Sequence, residues 1–321
     1  MTTRRSPARR VASSRRTPAR RTPPRRTPRS RARRRSRAAT LRRRRLAVGI
    51  LVAIGALSIV GLLVAAFIPL LSLGAAWNTE MKDEVKKESM DLSTFDPSRL
   101  IDDADFYDGD AMTADEIQRF LDEKVGECRT DTCLNVLRTT LPGRDRLVSD
   151  ATGETICEAI DGGELTAAEI IDRVQRACGI SAKVLLVTLQ KEQSLVSGRT
   201  ARAPDDAALG AAMGARCPDT APCDPGLAGF ASQVVQGATD LKSYSASDFM
   251  RQPGTHWIAF SPDPDCGGSE VTIENEATAA LYNYTPYQPN PAALAATWGT
   301  GDACSAYGNR NFALYWSLWF G

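Results

Sequence analysis

Apolar and polar positions alternate at helical spacing through most of the chain after residue 100. Two of these amphipathic stretches carry the same start signal, a threonine followed three residues later by a glutamate. Thr113 with Glu116 and Thr166 with Glu169 have the spacing of a capping box, in which each side chain binds a free backbone N–H of the first helical turn. We therefore predict a helix after each threonine, the second of which ends at Gly179.

A third helix is predicted from Ala182 to about Val196, capped by Ser181. Its segment Val184–Val187 is apolar on nearly every face, which indicates that the helix is buried. Residues 257–260 and 271–273 are rich in strand-forming side chains and predict one hairpin. The fold class expected for residues 100–321 is thus mainly α with a small β-hairpin. Further helices are predicted at about 226–244, 275–284, 291–298 and 309–320.

The segment Leu46–Ala76 contains 31 residues without a charged side chain. A bilayer core requires about 20 apolar residues, so this segment predicts one transmembrane helix, regular to about Phe67. Positive charge on its N-terminal side places the N-terminus in the cytoplasm and residues 100–321 outside, after a charged stalk at 77–99. A cleaved signal peptide is the alternative, because Gly74–Ala76 offers small residues at a cleavage point.

Charge is divided sharply between the two sides of this segment. Residues 1–45 hold 20 Arg and no Asp, Glu or Lys, whereas the chain from Glu80 onward holds all 38 acidic residues. Such an arginine tail buries no core and is expected to be disordered. The lipid bilayer and its anionic headgroups are the expected partners of the tail, at about 1 kcal/mol per Arg near the surface. A nucleic-acid partner is not expected, since no folded reader or interleaved aromatic side chain accompanies the charge.

All eight cysteines lie on the side predicted to be extracytoplasmic, where disulfides persist. Eight cysteines permit 105 connectivities, and pairing in sequence order is the simplest. With one histidine, His256, a mixed zinc site requires scattered ligands, so no metal and no other cofactor is expected. The expected pairs are Cys128/Cys133, Cys157/Cys178, Cys217/Cys223 and Cys266/Cys304.

Glu192 is the candidate catalytic residue. Its neighbours at helical spacing are mostly apolar, which disfavours the ionised carboxylate and favours a general acid. Glycoside cleavage needs such an acid to protonate the leaving oxygen. The alternative interpretation is a boundary carboxylate paired with a basic residue, although Lys191 is expected to point elsewhere. A pair of His256 with a nearby serine is disfavoured because no nucleophile elbow accompanies it.

Several segments between Leu100 and Gly321 resemble a family of exported bacterial proteins associated with the lysozyme-like fold, some members of which are labelled haemagglutinin. They combine an aromatic start, the buried helix with its Lys-Glu-Gln end, a short cysteine loop, a Tyr-Thr-Pro-Tyr motif and a Gly-Asn-Arg-Asn-Phe end. The matching segments are 105–107, 112–121, 184–193, 217–224, 277–290, 299–302 and 307–312.

At greater distance this arrangement is similar to lytic transglycosylases and goose-type lysozymes, which place a catalytic Glu near the end of a buried helix. A Gly-containing turn and a Tyr-bearing helix complete their cleft. The resemblance implies Glu192 as general acid and base, with Gln193 and Gly210 lining the cleft. Those enzymes commonly have Ser directly after the Glu, a position held here by Gln193. Three further residues are implied to stack on sugar rings: Tyr282, Tyr284 and Tyr287.

The function expected from these observations is cleavage of peptidoglycan glycan strands at the outer face of the cell membrane. A single acid suits a transglycosylase, while a hydrolase needs a second carboxylate. Asp205, Asp206, Asp219 and Asp224 are candidates for that second group, although their Pro-containing loops favour cap or turn roles. The alternatives are a noncatalytic glycan-binding or adhesin-like surface module, and a structural envelope protein that recruits partners through its stalk or tail.

Overall fold

The computed structural model describes residues 86–87, 89–90, 92–218 and 221–321. The predicted transmembrane helix at 46–76 and the arginine tail at 1–45 lie outside the described residues. Among the helices that are described, none combines the length and hydropathy of a membrane span. The described part is mainly helical, with small β-hairpins and four disulfides.

Both predicted capping boxes are present. A short helix α1 at Asp103–Phe106 precedes α2 at Ala114–Val125, and α3 spans Ala167–Cys178. The Thr113 and Thr166 side chains each accept the N–H of the third helical residue, whose glutamate accepts in return from the threonine N–H. Helix α3 ends as predicted at Gly179, which takes φ 63° in the left-handed region that glycine adopts without strain.

Helix α4, at Ala182–Gln193, lies in the core and packs against α3 and the last helix of the chain. It ends three residues earlier than predicted, because Ser194 turns the backbone into the left-handed region with φ 53°. The buried Gln190 side chain holds this turn by accepting the backbone N–H groups of Val196 and Ser197 at 3.0 and 2.8 Å. The predicted Ser181 cap is wrong, since its side chain makes no cap hydrogen bond.

The predicted helices of the C-terminal half are confirmed with shifted bounds. The long helix α7, at Phe230–Ala246, packs against α3 and against α8, at Glu276–Tyr284. Helices α3, α4, α7 and α8 thus surround one hydrophobic core. Short 3-10 turns occur at Pro225–Leu227 and Pro264–Cys266. The remaining helices are α5 Gly198–Ala201, α6 Asp206–Gly210, α9 Pro291–Ala295 and α10 Gly308–Trp319.

The predicted hairpin is confirmed as strands Gly254–Ala259 and Gly268–Ile273, with Trp257 opposite Glu270. Two further antiparallel pairs were not predicted, because their strands are two to four residues long and show no clear alternation. In chain order the strands are β1 Arg138–Leu141, β2 Leu147–Val148, β3 Thr155–Cys157, β4 Gly163–Thr166, β5 Gly254–Ala259 and β6 Gly268–Ile273. The pairs are β1 with β4, β2 with β3 and β5 with β6.

The sequential disulfide pairing is confirmed for all eight cysteines. The Cys157–Cys178 bridge is buried and ties β3 to the last residue of α3. The Cys217–Cys223 bridge closes a short loop that follows α6. The observed pairs are Cys128–Cys133, Cys157–Cys178, Cys217–Cys223 and Cys266–Cys304.

The bridge between Cys266 and Cys304 has the largest sequence separation of the four, 38 residues. Cys266 ends the 3-10 turn that precedes β6, and Cys304 is half-buried in the turn before α10. The backbone N–H of Cys304 also donates to Oδ1 of Asp302 at 3.0 Å. The bridge therefore ties the loop of the β5–β6 hairpin to the start of the C-terminal helix. Like the other three, it fixes loops and element ends rather than the centres of helices.

The segment assigned to a stalk also contacts this folded part. Lys86 donates through Nζ to the backbone carbonyls of Ser317 and Leu318, both at 2.8 Å, at the C-terminal end of α10. A lysine at this position satisfies carbonyls that the helix leaves free and interacts favourably with the helix dipole.

Candidate active site

Glu192 lies in the last turn of α4, where the central helix leaves the core. Its side chain is 26% exposed, whereas the neighbouring Lys191 side chain is only 2% exposed. The Lys191 ammonium nevertheless contacts Oε1 of Glu192, so the prediction that Lys191 points elsewhere is wrong. Successive residues diverge around a helix, but the long stem of lysine lets its buried ammonium reach back to the neighbouring carboxylate.

The same ammonium has two further partners on α8 and directly after it. Lys191 Nζ donates to Oγ1 of Thr285 at 3.1 Å and lies 5.3 Å from the centre of the Tyr284 ring. A buried cation requires such compensation, because its lost hydration is otherwise costly. Lys191 thus joins the end of α4 to the end of α8 and holds Glu192 at their junction.

Gly214 presses directly against the Glu192 carboxylate. A Cβ built on Gly214 would lie 2.9 Å from Oε2 and 3.1 Å from Cδ of Glu192, and the backbone here has φ 68°. Both observations require glycine, one for space and one for backbone conformation. The glycine turn expected beside the catalytic carboxylate is therefore placed at Gly214, whereas Gly210 is the last residue of α6 and its Cβ position is open.

Two buried groups fix the loop that carries Gly214. Gln233 of α7 accepts the N–H groups of Met213 and Ala215 at 3.3 and 3.1 Å and donates to the Ala215 carbonyl at 3.0 Å. The hydroxyl of Tyr284 donates to the Met213 carbonyl from the opposite side. Pinned from α7 and from α8, the loop holds its glycine against the carboxylate.

A cavity of about 640 Å³ lies against this loop. It is bounded by the loop, the Cys217–Cys223 bridge, the C-terminal half of α7 and the residues after it. Gly214 belongs both to its wall and to the contact with Glu192, whereas Glu192 itself is not among the lining residues. The lining residues are Gly214, Ala215, Arg216, Cys217, Pro218, Pro222, Asp224, Asp240, Tyr244, Phe249 and Tyr284.

Asp240 is a second carboxylate in this cavity, and its side chain is 14% exposed. Its Oδ1 accepts from Arg216 at 3.1 Å and from Gln236 at 2.8 Å. Burial raises the pKa of Asp240, while the hydrogen bond from Gln236 and the charge of Arg216 oppose the shift. Arg216 itself has φ 56°, an uncommon conformation for a residue other than glycine.

Two tyrosines lie in the electrostatic field of these carboxylates, and Tyr284 is affected by both. Burial, together with the charges of Glu192 and Asp240, raises the pKa of Tyr284 well above its usual value. Burial and the charge of Asp240 raise the pKa of Tyr244 to about 12. Both phenols therefore stay protonated near neutral pH, and Tyr284 keeps its hydrogen bond to the Met213 carbonyl.

Three other residues expected at the site, Gln193, Tyr282 and Tyr287, do not line the cavity. Gln193 ends α4 and is half-buried, and Tyr287 is half-buried beyond the end of α8. Tyr282 is fully buried and donates its hydroxyl to the Pro97 carbonyl at 3.1 Å, so its ring offers no face to a sugar. Of the residues expected at the substrate, Tyr284 lines the cavity beside Asp240.

The cysteines contribute to the fold around the site rather than to its chemistry. Each of the eight is held in a disulfide, so none presents a thiol. Cys217 lines the cavity, and its bridge to Cys223 closes the loop at the cavity wall. Cys266 and Cys304 do not belong to that lining, and their bridge is assigned a structural role.

The acidic residues proposed as a second carboxylate serve mainly as caps. Asp205 accepts the Ala208 N–H at 2.8 Å, and Asp224, which also lines the cavity, accepts the Gly226 N–H at 2.8 Å. Asp206 begins α6, and Asp219 lies outside the described residues. His256 bonds the Gln252 carbonyl at 2.7 Å, as expected of a structural histidine.

Sequence reasoning missed Asp240, Tyr244 and the positioning residue Gln233. All three are on α7, at separations of seven and four residues, and therefore share one helix face. Their recurrence at helical spacing along the helix predicted at about 226–244 was the available signal. Among the described residues no group of three or more His, Cys, Asp or Glu side chains is arranged to hold a metal ion.

Compared with known proteins, the chain matches no family model, and no curated protein or solved structure is significantly similar to it.

Proposed function

We propose that this protein is a membrane-anchored, extracytoplasmic cell-wall protein that cleaves the glycan strands of peptidoglycan, with Glu192 as general acid and then general base. The observation that carries the proposal is the position of Glu192. It ends a buried helix, its carboxylate touches a glycine turn, and a cavity large enough for a sugar ring lies beside that turn. These features support the arrangement expected from the resemblance to lytic transglycosylases and goose-type lysozymes.

In this mechanism the Glu192 carboxyl protonates the glycosidic oxygen as the bond breaks and then removes a proton from the group that attacks the sugar. In a transglycosylase the attacking group is a hydroxyl of the same sugar, which leaves an anhydro ring. In a hydrolase it is water, which leaves a reducing end. The Lys191 ammonium is the donor that contacts Glu192, while the nearby Tyr284 phenol stays protonated and donates to the Met213 carbonyl.

The anchor and the compartment are part of the same proposal. A 31-residue segment without charge and the arginines before it support a single span with a cytoplasmic N-terminus. Four disulfides are consistent with an oxidising exterior. Binding of the arginine tail at residues 1–45 to anionic lipid headgroups belongs to the same proposal.

The second candidate function is a noncatalytic glycan-binding or adhesin-like module. The Lys191–Glu192 ion pair favours it, because a carboxylate held by a buried ammonium is not free to approach a glycosidic oxygen. Catalysis therefore requires that bound sugar displace or weaken this pair.

The test is digestion of purified peptidoglycan by the full-length chain in mild detergent, with the soluble products identified by mass spectrometry. We expect muropeptides from the wild type and none from Glu192→Gln. Glu127→Gln, which neutralises an exposed carboxylate outside the cavity, is the matched control and should release as much as the wild type. Anhydro ends indicate a transglycosylase and reducing ends a hydrolase.

Equal release by the wild type and Glu192→Gln would remove Glu192 from the mechanism. Release by neither protein, with both retained on the sedimented wall, would favour the binding module. Release by neither with no retention would leave a structural envelope role as the remaining interpretation.

A further inference from the structure

We propose that Asp240, Arg216, Tyr244 and Phe249 form a sugar-binding subsite next to Glu192, in which one pyranose ring of the glycan strand lies against the aromatic edge and hydrogen-bonds to the charged pair. The inference rests on the proposed function in that the bound ring belongs to the strand on which Glu192 acts. It assigns the cavity a ligand and gives roles to four residues outside the predicted site.

The first argument is the charge of the cavity. The Asp240 carboxylate is largely buried, and burying a charge is unfavourable unless it is paired. Arg216 pairs it at 3.1 Å, so these two charges compensate each other, and Asp224 gives the lining one further negative charge that disfavours anions. A neutral ligand rich in hydroxyl and amide groups fits this pair, whereas the acidic stem peptide of peptidoglycan would meet the carboxylate.

The second argument is the hydrogen-bonding capacity that remains. Within the described residues, both hydrogen bonds to Asp240 end on Oδ1, which leaves Oδ2 to accept from a ligand. Arg216 is 60% exposed and has further N–H groups to donate. The pair therefore offers an acceptor and a donor fork side by side, as the vicinal hydroxyls of a sugar require.

The third argument is the aromatic edge. The Tyr244 and Phe249 rings meet edge to face, with centroids 4.7 Å apart, and both line the cavity. Phe249 is 40% exposed although it is large and apolar. An exposed aromatic ring beside a polar pocket supplies the flat apolar surface against which the C–H face of a sugar packs.

The fourth argument is the backbone. Among the described residues three other than glycine have positive φ, and one of them, Arg216, lines this cavity. Ser194 follows the helix that carries Glu192, and Arg216 presents the guanidinium to Asp240. Conformations of this kind are strained and concentrate where a ligand site needs them.

The experiment measures binding separately from turnover. The full-length chain in mild detergent is titrated with chitotetraose, a soluble oligomer of N-acetylglucosamine, in a Glu192→Gln background, with affinity measured by calorimetry. We expect Asp240→Asn to weaken binding about tenfold or more, since a hydrogen bond to a charged group is lost. Phe249→Ala should weaken it about threefold or more through the lost ring contact.

Matched controls exclude general effects of substitution. Asp131→Asn removes an exposed aspartate in the loop closed by Cys128 and Cys133, and Met250→Ala removes an apolar side chain that is 82% exposed next to Phe249. Both should bind chitotetraose like the parent. Asp240→Asn preserves the size of the side chain and its acceptor oxygen, and melting temperatures verify that each variant is folded.

Saturation-transfer NMR places the ligand. Magnetisation passed from aromatic protons to the sugar should fall in Phe249→Ala and persist in Met250→Ala. Unchanged affinity in both Asp240→Asn and Phe249→Ala, or no chitotetraose binding at all, would overturn the subsite, even if the wild type releases muropeptides. The converse result is a wild type that releases no muropeptides, with chitotetraose affinity lowered as expected in both variants. That result would support the subsite and reject the enzymatic function.

Discussion

Replacement of Gly214 by alanine tests whether the glycine turn positions the Glu192 carboxylate. The added methyl has two separable effects. The backbone at φ 68° disfavours any Cβ, at about 1 to 2 kcal/mol for a left-handed residue, partly offset by about 0.4 to 1 kcal/mol from the stiffer unfolded chain. The net loss of stability from the backbone is therefore about 1 kcal/mol.

The second effect acts on the carboxylate. The new Cβ would lie 2.9 Å from Oε2 and 3.1 Å from Cδ, whereas non-bonded carbon contacts settle at about 3.5 to 4.0 Å. The end of the Glu192 side chain must therefore move by about 0.5 Å, and it can do so because it is flexible. Catalytic groups tolerate about 0.5 Å, and a displacement of 1 Å costs about 10²-fold. We expect a folded protein whose muropeptide release falls about tenfold or more.

Gly179→Ala is the matched control. Gly179 has φ 63°, and a Cβ there meets nothing within 4 Å, so the substitution reproduces the backbone strain without touching Glu192. The two variants should lose similar stability in urea unfolding, while only Gly214→Ala loses muropeptide release. Wild-type release from Gly214→Ala, together with the expected loss of stability, would show that the carboxylate does not act from this position. A variant as stable as the wild type would refute the assigned backbone conformation.

Two further predictions concern the folded domain. Replacement of both Cys157 and Cys178 by alanine should lower the free energy of unfolding by about 3 kcal/mol, because the bridge closes a loop with a sequence separation of 21 residues. Urea unfolding measures this loss. A loss no larger than that caused by removing the Cys128–Cys133 bridge, whose sequence separation is 5, would contradict the prediction. Thr166→Ala should cost about 1 kcal/mol at pH 7 through the lost cap. Hydrogen bonds from the Thr166 backbone N–H and, second, from its side chain lower the pKa of Glu169, and alanine removes only the side-chain share. That share is present above the ordinary carboxyl pKa and is lost as pH falls through the lowered one. Urea unfolding of the wild type and variant from pH 7 to pH 3 should show the difference shrinking below about pH 4, and a difference that grows with acid would refute the capping box.

Local chemistry accounts for the parts of the fold that the sequence alone determined. The capping boxes at Thr113 and Thr166, the stop at Gly179 and the hairpin around Trp257 each depend on residues close together in the chain. Sequential disulfides follow the same rule, since closing short loops costs little entropy. Glu192 at the end of a buried helix was likewise readable from periodicity.

Tertiary packing decided what surrounds that carboxylate. Lys191 turned toward Glu192 because Thr285 and Tyr284, more than ninety residues away in sequence, compensate its buried charge. The glycine in contact is Gly214 rather than Gly210, since Tyr284 and Gln233 fix the loop from two other helices.

The same contrast holds for the cavity. In the sequence, Asp240 is one polar residue on a predicted helix. No local signal indicates that Arg216 pairs with it, or that Gly214 contacts both its cavity and Glu192. Helix starts, turns and short loops are set by interactions over a few residues, which a single sequence displays. A site assembled from α4, α7, α8 and one loop depends on contacts across the core, and these exist only once the helices have packed.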